Sequence, residues 1–208
     1  DSGSVSEDGP GVAIDLLDND IDTDLLDIIN LVLVNTTGTT GLVSVNLLNG
    51  TVNYDPNGQF EYLAEGETAI ETFTYCVTDP SGETDIATVT LTVNGSNDGP
   101  VAIDDSGPVS GDGPGNRINA LASDSDVDAS DVLTLASIDT TGTQGSAAIV
   151  NGEISYDPND SFENLAVGET AIDTLTYVAS DGNGGSDVAT VTITVVGQND
   201  GPAAIDDS

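Results

Sequence analysis

Two short runs of alternating aspartates carry the clearest chemical signal in the sequence. They place a carboxylate at every second position, in Asp20, Asp22, Asp24, Asp124, Asp126 and Asp128. Carboxylates spaced in this way along a loop can turn toward one ion, and calcium takes roughly six to eight oxygen ligands. The runs lack the glycine and the glutamate of an EF-hand loop. The alternatives are therefore a calcium site of another kind and a solvated acidic loop.

A second acidic string occurs twice, as "NDGPVAIDDS" in the middle of the chain and as "NDGPAAIDDS" at the end. Its candidate ligands are Asn97, Asp98, Asp104, Asp105, Asn199, Asp200, Asp206 and Asp207. A flexible linker would favour glycine and serine, whereas this string has a proline, which fixes φ, and an apolar "VAI" or "AAI". We interpret its aspartates as half of a metal site. The alternative is a polar linker with a turn.

The topology predicts where these groups meet. In an up-and-down sandwich the first strand would carry the loop of Asp20–Asp24 to the C-terminal pole, beside the linker aspartates. The turn "SDGNGGSD", with Asp181, Asn183 and Asp187, would approach the same linker from the second repeat. We therefore expect three acidic groups from two repeats to converge on one junction.

The charge of the chain limits its partners. The 208 residues include 37 acidic side chains, one basic side chain and no histidine, which gives a formal net charge of −36. Nucleic acid and anionic membranes are excluded as partners because both are bound through Lys and Arg. Disorder, solubility in salt and calcium binding each account for such acidity. The hydrophobic content of 37% and the regular apolar pattern argue against disorder.

The residues give no support for an enzyme. Without histidine, no serine or cysteine has a usual general base, and acidic pairs are too abundant for any one pair to be informative. Cys76 is the single cysteine, and valine replaces it at Val178 in the repeat, so we interpret it as a small buried apolar residue. No apolar run is long enough to span a bilayer.

The elements that position these residues are β-strands. "ATVTLTV" (87–93) and "ATVTITV" (189–195) alternate apolar and polar residues with the period of a half-buried antiparallel strand. "TFTYCV" repeats this pattern, and turn strings such as "DPNG" and "DPSG" separate the segments. Further strands are predicted at 25–35, 42–48, 51–54 and around 60–63. About seven short strands per hundred residues predict an all-β fold of immunoglobulin-like Greek-key sandwiches.

The chain contains this unit twice. "GETAIETFTY" returns as "GETAIDTLTY", and "DSGSVSEDGPG" returns as "DSGPVSGDGPG". We predict one sandwich over residues 1–98 and a second over 99–208, with a linker at about 95–105. The sequence starts and stops within the repeat pattern, and we expect it to be a segment of a longer chain.

The strings "NDGPVAIDDS", "DSDVDASD" and "GETAIDTLTYVASDGNGGSDVATVTITVVGQND" closely resemble the VCBS-type and cadherin-like tandem repeats of large bacterial surface adhesins, many of the RTX class. The resemblance covers nearly the whole chain, twice. Asn97 and Asp98 also resemble the Asn–Asp pair of cadherin linkers. Repeat one departs from the pattern at "TDPSGETD", where the glycine-rich turn is missing, and we expect a different ligand set there.

The resemblance implies a secreted, extracellular protein on the bacterial cell surface, with a role in biofilm adhesion. The expected function is a calcium-stiffened extender, a monomer whose partners are calcium ions and neighbouring copies of the repeat. It would project a distal binding domain away from the cell, without inserting into the membrane. The alternative is a module that binds carbohydrate or a surface through calcium.

Overall fold

The computed structural model describes residues 1–24, 26–113 and 115–202. Its backbone divides into two compact units. Unit 1 contains Asp1–Asp98 together with Asp128–Ser130, and unit 2 contains Gly99–Val127 and Asp131–Ser208. Three residues from the sequence of the second repeat thus belong structurally to the first unit.

Unit 1 is a sandwich of two sheets. Its strands are β1 (Ser2–Ser6), β2 (Val12–Asp15), β3 (Asn30–Asn35), β4 (Leu42–Asn46), β5 (Thr51–Asp55), β6 (Thr68–Thr78) and β7 (Thr84–Asn94). One sheet has the order β1-β7-β6-β3 and the other has the order β2-β5-β4. The chain changes sheets between β1 and β2, and β1 pairs with β7 in parallel.

Unit 2 repeats this architecture. Its strands are β8 (Asp105–Ser110), β9 (Asn116–Ile118), β10 (Thr134–Asp139), β11 (Ser146–Val150), β12 (Glu153–Asp157), β13 (Thr170–Ser180) and β14 (Ser186–Val196). The sheets have the orders β10-β13-β14-β8 and β11-β12-β9. A short 3₁₀ helix at Ala120–Ala122 follows β9. The prediction of an all-β fold of two sandwiches is confirmed.

The predicted alternation places the core. In β7 the side chains of Val89, Leu91 and Val93 are fully buried, while the intervening threonines point outward or lie partly covered. Val191, Ile193 and Val195 do the same in β14. These rows pack against the facing sheet of their own unit, as the period-2 pattern requires. Cys76, which we expected to be buried, is only half-buried.

Three details of the strand prediction are wrong. The strand predicted at 25–35 begins only at Asn30. Residues 60–63 form a turn instead of a strand, in which Leu63 N–H donates to Phe60 O at 2.9 Å. Phe60 and Leu63 are both buried, so these apolar residues anchor a loop to the core. The first segment of each repeat forms two strands, where we expected one. These strands are β1 and β2 in unit 1 and β8 and β9 in unit 2. Short apolar runs do not separate these cases by periodicity alone.

A buried carboxylate supports the loop before the fourth strand of each unit, which is β4 in unit 1 and β11 in unit 2. In unit 2 Asp173 accepts hydrogen bonds from Gln144 N–H, from Gly145 N–H and from the Tyr156 hydroxyl. In unit 1 Glu71 accepts from Thr40 N–H at 2.6 Å.

Among the described residues, none forms a helix with the length and apolar character that crossing a bilayer requires.

Candidate metal centre

Three carboxylates meet at one end of unit 1. One oxygen each from Glu7, Asp98 and Asp128 lies within 4.8 Å of the other two. Glu7 and Asp128 are buried, with 3% and 2% of their surface exposed. Glu7 follows β1, Asp98 ends the repeat, and Asp128 comes from the second aspartate run. All three residues belong to unit 1.

Backbone hydrogen bonds hold Glu7 in this position. Its N–H donates to Asn94 O at 3.0 Å, which continues the parallel pairing of β1 with β7. Ser96 N–H donates to Glu7 Oε1 at 2.7 Å. The side chain is therefore fixed by the same segment that leads to Asp98.

Asp128 is fixed from the other side. Asp98 N–H donates to Asp128 Oδ2 at 2.9 Å, and the next residue, Ala129, donates its N–H to Tyr62 O at 3.1 Å. Gly95 helps to bring these groups together, because a Cβ there would overlap the carbonyl oxygens of Leu63 and Ala64. Only glycine lets the end of the repeat pass so close to that loop.

The donor set fits a hard cation. Glu7 Oε2 is buried and has no hydrogen-bond partner among the described residues. Burial raises the pKa of Glu7 above its usual value, and the charges of Glu61, Asp8 and Asp98 add to the effect, while the hydrogen bond from Ser96 opposes it. A buried carboxylate without compensation is costly. Calcium, which prefers several carboxylate oxygens, would supply that compensation.

A second acidic group adjoins the first and shares Asp98. It consists of Asp8, Glu61 and Asp98, again with one oxygen each within 4.8 Å. Glu61 is carried by the turn that Phe60 and Leu63 anchor, so its backbone is fixed by the core. Partial burial raises the pKa of Glu61, and Asp98 and Asp8 raise it further.

The first aspartate of each run accepts a hydrogen bond from a core tyrosine. Asp124 accepts hydrogen bonds from Ile103 N–H and from the Tyr177 hydroxyl, each at 2.9 Å. In unit 1 the Tyr75 hydroxyl donates to Asp20 Oδ1 at 3.0 Å. Burial and the Asp20 carboxylate raise the pKa of Tyr75 to about 12, so the phenol keeps its proton for this bond. These hydrogen bonds support the loop, and the role of Asp20 and Asp124 as metal ligands stays a prediction.

The aspartate run lies at the end of its sandwich opposite to the C-terminal end, where we expected it. In unit 2, Ile103 N–H binds Asp124, and Val101 forms a bridge with Ser125, so the run sits at the N-terminal end of its unit. The cause is the extra strand, because β1 runs toward the C-terminal end and β2 returns. Glu7 and Asp8, at the turn between β1 and β2, occupy the pole where we had placed Asp20–Asp24.

Other predicted ligands fasten the segment after the proline to unit 2. Asp187 Oδ2 accepts from Ala102 N–H at 2.9 Å, and Asp104 Oδ1 accepts from Thr190 N–H at 2.8 Å. Asp105 Oδ1 accepts from the Ser123 hydroxyl. Within the described ranges, none of these three aspartates joins a group of three close acidic side chains. Their role as ligands stays a prediction.

The remaining candidates lie outside the cluster of Glu7, Asp98 and Asp128, apart from Asp98 itself. Asp22 and Asp24 group with Asp27 in a largely exposed loop, where desolvation and their charges raise the pKa of Asp27. Asp126 is half-buried in unit 2. Asp181 Oδ1 accepts hydrogen bonds from the N–H groups of Asn183, Gly184 and Gly185, and the Asn183 amide donates to Asp131. The Asn97 amide donates to Asp98 O, and Asp200 groups with Asp112 and Glu163. Asp206 and Asp207 lie outside the described residues.

Sequence reasoning missed Glu7, Asp8 and Glu61. A signal existed for two of them, since Asp8 returns as Asp112 in "DGPG" and Glu61 returns as Glu163 in "FENLA". Glu7 has no acidic counterpart in the second repeat. Its burial follows from the pairing of β1, which the sequence pattern did not predict.

Comparisons with known proteins agree with this architecture. A family profile described as "Bacterial cadherin-like domain" matches residues 1–95 and again residues 97–197. The calcium-binding lectin RapA2 of Rhizobium johnstonii is 30% identical over 173 aligned positions, and the match covers 71% of this chain and 72% of that protein.

Solved structures share the fold at low identity. Drosophila N-cadherin EC1-4 has a TM-score of 0.56 at 16% identity over 95% of this chain. Mouse cadherin-23 EC22-24 has a TM-score of 0.52 at 16% identity over 94% of this chain. The chain spans 48% and 63% of those two solved chains. At this identity the likeness concerns the fold alone.

Proposed function

Because the chain belongs to the bacterial cadherin-like domain family, we propose that it is a calcium-stiffened extender segment of a bacterial cell-surface adhesin. Each repeat, 1–98 and 99–208, is one module of the extender. The observation that carries the proposal is the buried Glu7 Oε2, which lies with Asp98 and Asp128 and has no hydrogen-bond partner among the described residues. The chain binds and positions, and it carries out no chemical transformation.

The mechanism follows from where the three residues stand in the sequence. Glu7 begins repeat one, Asp98 ends it, and Asp128 follows a stretch of repeat two. Without a cation the three carboxylates repel one another. With calcium, the charge is neutralised and the same groups hold Asp128 to unit 1. The segment from 99 to 127 then has both of its ends fixed, and the freedom of the second repeat falls.

The expected affinity suits an extracellular setting. Extracellular calcium modules bind at roughly 10⁻⁴–10⁻³ M. A ligand at about one hundred times its dissociation constant stabilises the folded state by about 2.7 kcal/mol. For a domain of this size such a gain raises the melting temperature by roughly 10–20 °C. In the proposal, further copies of the repeat are the partners, and the chain is extracellular and monomeric.

Thermal unfolding tests the proposal. We expect the melting temperature of unit 1 to rise by this amount between excess chelator and saturating calcium, with magnesium as a control. An unchanged melting temperature in calcium would remove the basis of the extender mechanism.

A second candidate function is calcium-dependent binding of carbohydrate. The observation that favours it is the 30% identity to a protein described as a calcium-binding lectin. A glycan array probed with this chain, in calcium and in chelator, separates the two candidates. Specific binding that chelator abolishes would favour the carbohydrate-binding module, and absence of glycan binding combined with calcium stabilisation would favour the extender.

A further inference from the structure

Glu7 of unit 1 and Gly111 of unit 2 occupy equivalent backbone positions, each directly after the parallel strand pair of its unit. In unit 1 the parallel pairing ends with Ser6 beside Asn94, and in unit 2 it ends with Ser110 beside Val196. Glu7 N–H then donates to Asn94 O at 3.0 Å, and Gly111 N–H donates to Val196 O at 2.8 Å. Gly111 therefore stands in unit 2 where Glu7 stands in unit 1.

The surrounding acidic residues are kept in both repeats. Asp8, Glu61 and Asp98 correspond to Asp112, Glu163 and Asp200, and each set has one oxygen per residue within 4.8 Å of the others. The three residues of unit 2 are all exposed, whereas Glu61 and Asp98 are half-buried. Repeat two thus keeps the outer carboxylates, while its cluster of described residues holds no counterpart of the two buried carboxylates, Glu7 and Asp128.

Of these two, Glu7 is the one whose place repeat two fills with another residue, Gly111, and a buried carboxylate there would contribute strongly to affinity. The number of charged ligands and the rigidity of the site set the calcium affinity of protein sites. Glu7 is held by Ser96 N–H through Oε1 and keeps Oε2 buried, so binding would order it very little. Exposed carboxylates are screened by solvent and must be ordered when a cation binds.

We infer that the two repeats bind calcium with different affinities, and that the buried Glu7 sets the difference. This inference rests on the proposed function. The end of unit 1 fills at a lower calcium concentration than the corresponding end of unit 2. The connection that follows repeat one therefore stiffens first as calcium rises, and a connection that follows repeat two stays flexible over a range of higher concentrations.

Reciprocal substitutions in the whole chain test the inference by calcium titration calorimetry. Glu7→Gly gives unit 1 the residue of unit 2, and we expect its tight binding to weaken by about tenfold or more, the kind of change that separates classes of calcium site. Gly111→Glu should tighten the weaker binding. A Cβ at Gly111 would lie 3.0 Å from Val196 O, so the neighbouring backbone must move by only a few tenths of an ångström.

Two further variants keep the test decisive. Glu7→Gln retains the size of the side chain and must also lose tight binding, which covers a failure of Glu7→Gly to fold. Glu65→Gly changes an exposed residue of the same unit and should leave the titration unchanged. If Glu7→Gly and Glu7→Gln titrate like the wild type while calcium still raises the melting temperature, the inference is wrong and the proposed function stands. If the wild type neither binds calcium nor is stabilised by it, both are overturned.

Discussion

The phenolic oxygen of Tyr177 lies 2.9 Å from both carboxylate oxygens of Asp124. A related bond occurs in the first repeat, where the Tyr75 hydroxyl donates to one oxygen of Asp20, Oδ1, at 3.0 Å. Burial and the charges of Asp124 and Asp105 raise the pKa of Tyr177 well above its usual value, so the hydroxyl stays protonated and donates. A core tyrosine thereby fixes the start of each aspartate run, which positions the residues that follow it.

Replacing Tyr177 with phenylalanine removes this support. Loss of a hydrogen bond to a charged, partly buried acceptor should destabilise unit 2 by about 1–3 kcal/mol, a fall of roughly 4–24 °C in melting temperature. Tyr62→Phe is the matched control, because Tyr62 is 48% exposed. Equal melting curves for Tyr177→Phe and the wild type would show that the bond to Asp124 adds nothing to stability.

The buried Asp173 gives unit 2 a defined acid sensitivity. Burial works against its ionisation, but the hydrogen bonds from Gly145, Tyr156 and Gln144 outweigh burial and hold its pKa below 3.8. A lowered pKa in the folded state contributes stability above the unfolded value of 3.8, and this stability is lost as the pH falls through the folded pKa.

Asp173→Asn should therefore cost roughly 3 kcal/mol at neutral pH and progressively less below pH 3.8. Melting curves in chelator, from neutral to strongly acid pH, measure the difference between variant and wild type. Asp18→Asn, at an exposed position, is the control. A difference that stays constant down to the lowest pH would contradict the assigned role of the carboxylate.

Glu7→Gln should change the stability of unit 1 in opposite directions with and without calcium. In chelator the variant avoids a buried, uncompensated charge and should be more stable than the wild type by about 1–2 kcal/mol. In calcium it lacks a charged ligand and should melt below the wild type. Melting curves in both buffers, with Glu65→Gln as the exposed control, measure this. The same order of stability in both buffers would refute a cation at Glu7.

Asp128 should matter to unit 1 although it comes from the sequence of repeat two. Asp128→Asn is expected to remove most of the calcium-induced rise in the melting temperature of unit 1. Asp18→Asn is the control, because Asp18 belongs to the same unit, is exposed and, within the described ranges, joins no group of three close acidic side chains. Equal losses in the two variants would indicate a general effect of charge, with no specific ligand at Asp128.

The sequence predicted the parts of the fold that depend on local pattern. The alternation in 87–93 and 189–195 identified core strands, because burial on one face imposes a period of two. The same approach failed for residues 60–63, where buried Phe60 and Leu63 anchor a turn. Apolar residues at a loop look like a short strand when only their identity is considered.

The candidate site was predicted in part for a similar reason. Asp98 and Asp128 were recognised from their spacing and repetition, and both belong to the cluster. Glu7 was missed because its position depends on the parallel pairing of β1 with β7, a contact between residues far apart in sequence. The end of the sandwich at which the aspartate run lies depends on the number of strands that precede the run. The sequence pattern did not reveal one of these strands, so the run was predicted at the wrong end.

Small-angle X-ray scattering of the whole chain tests the central claim most directly. If calcium held by Glu7, Asp98 and Asp128 restricts the second repeat, scattering in saturating calcium should give a narrower distribution of interatomic distances than scattering in chelator. Asp128→Asn should resemble the chelated wild type in both buffers. Superimposable profiles of the wild type in calcium and in chelator, under conditions where calorimetry shows calcium to be bound, would contradict the claim.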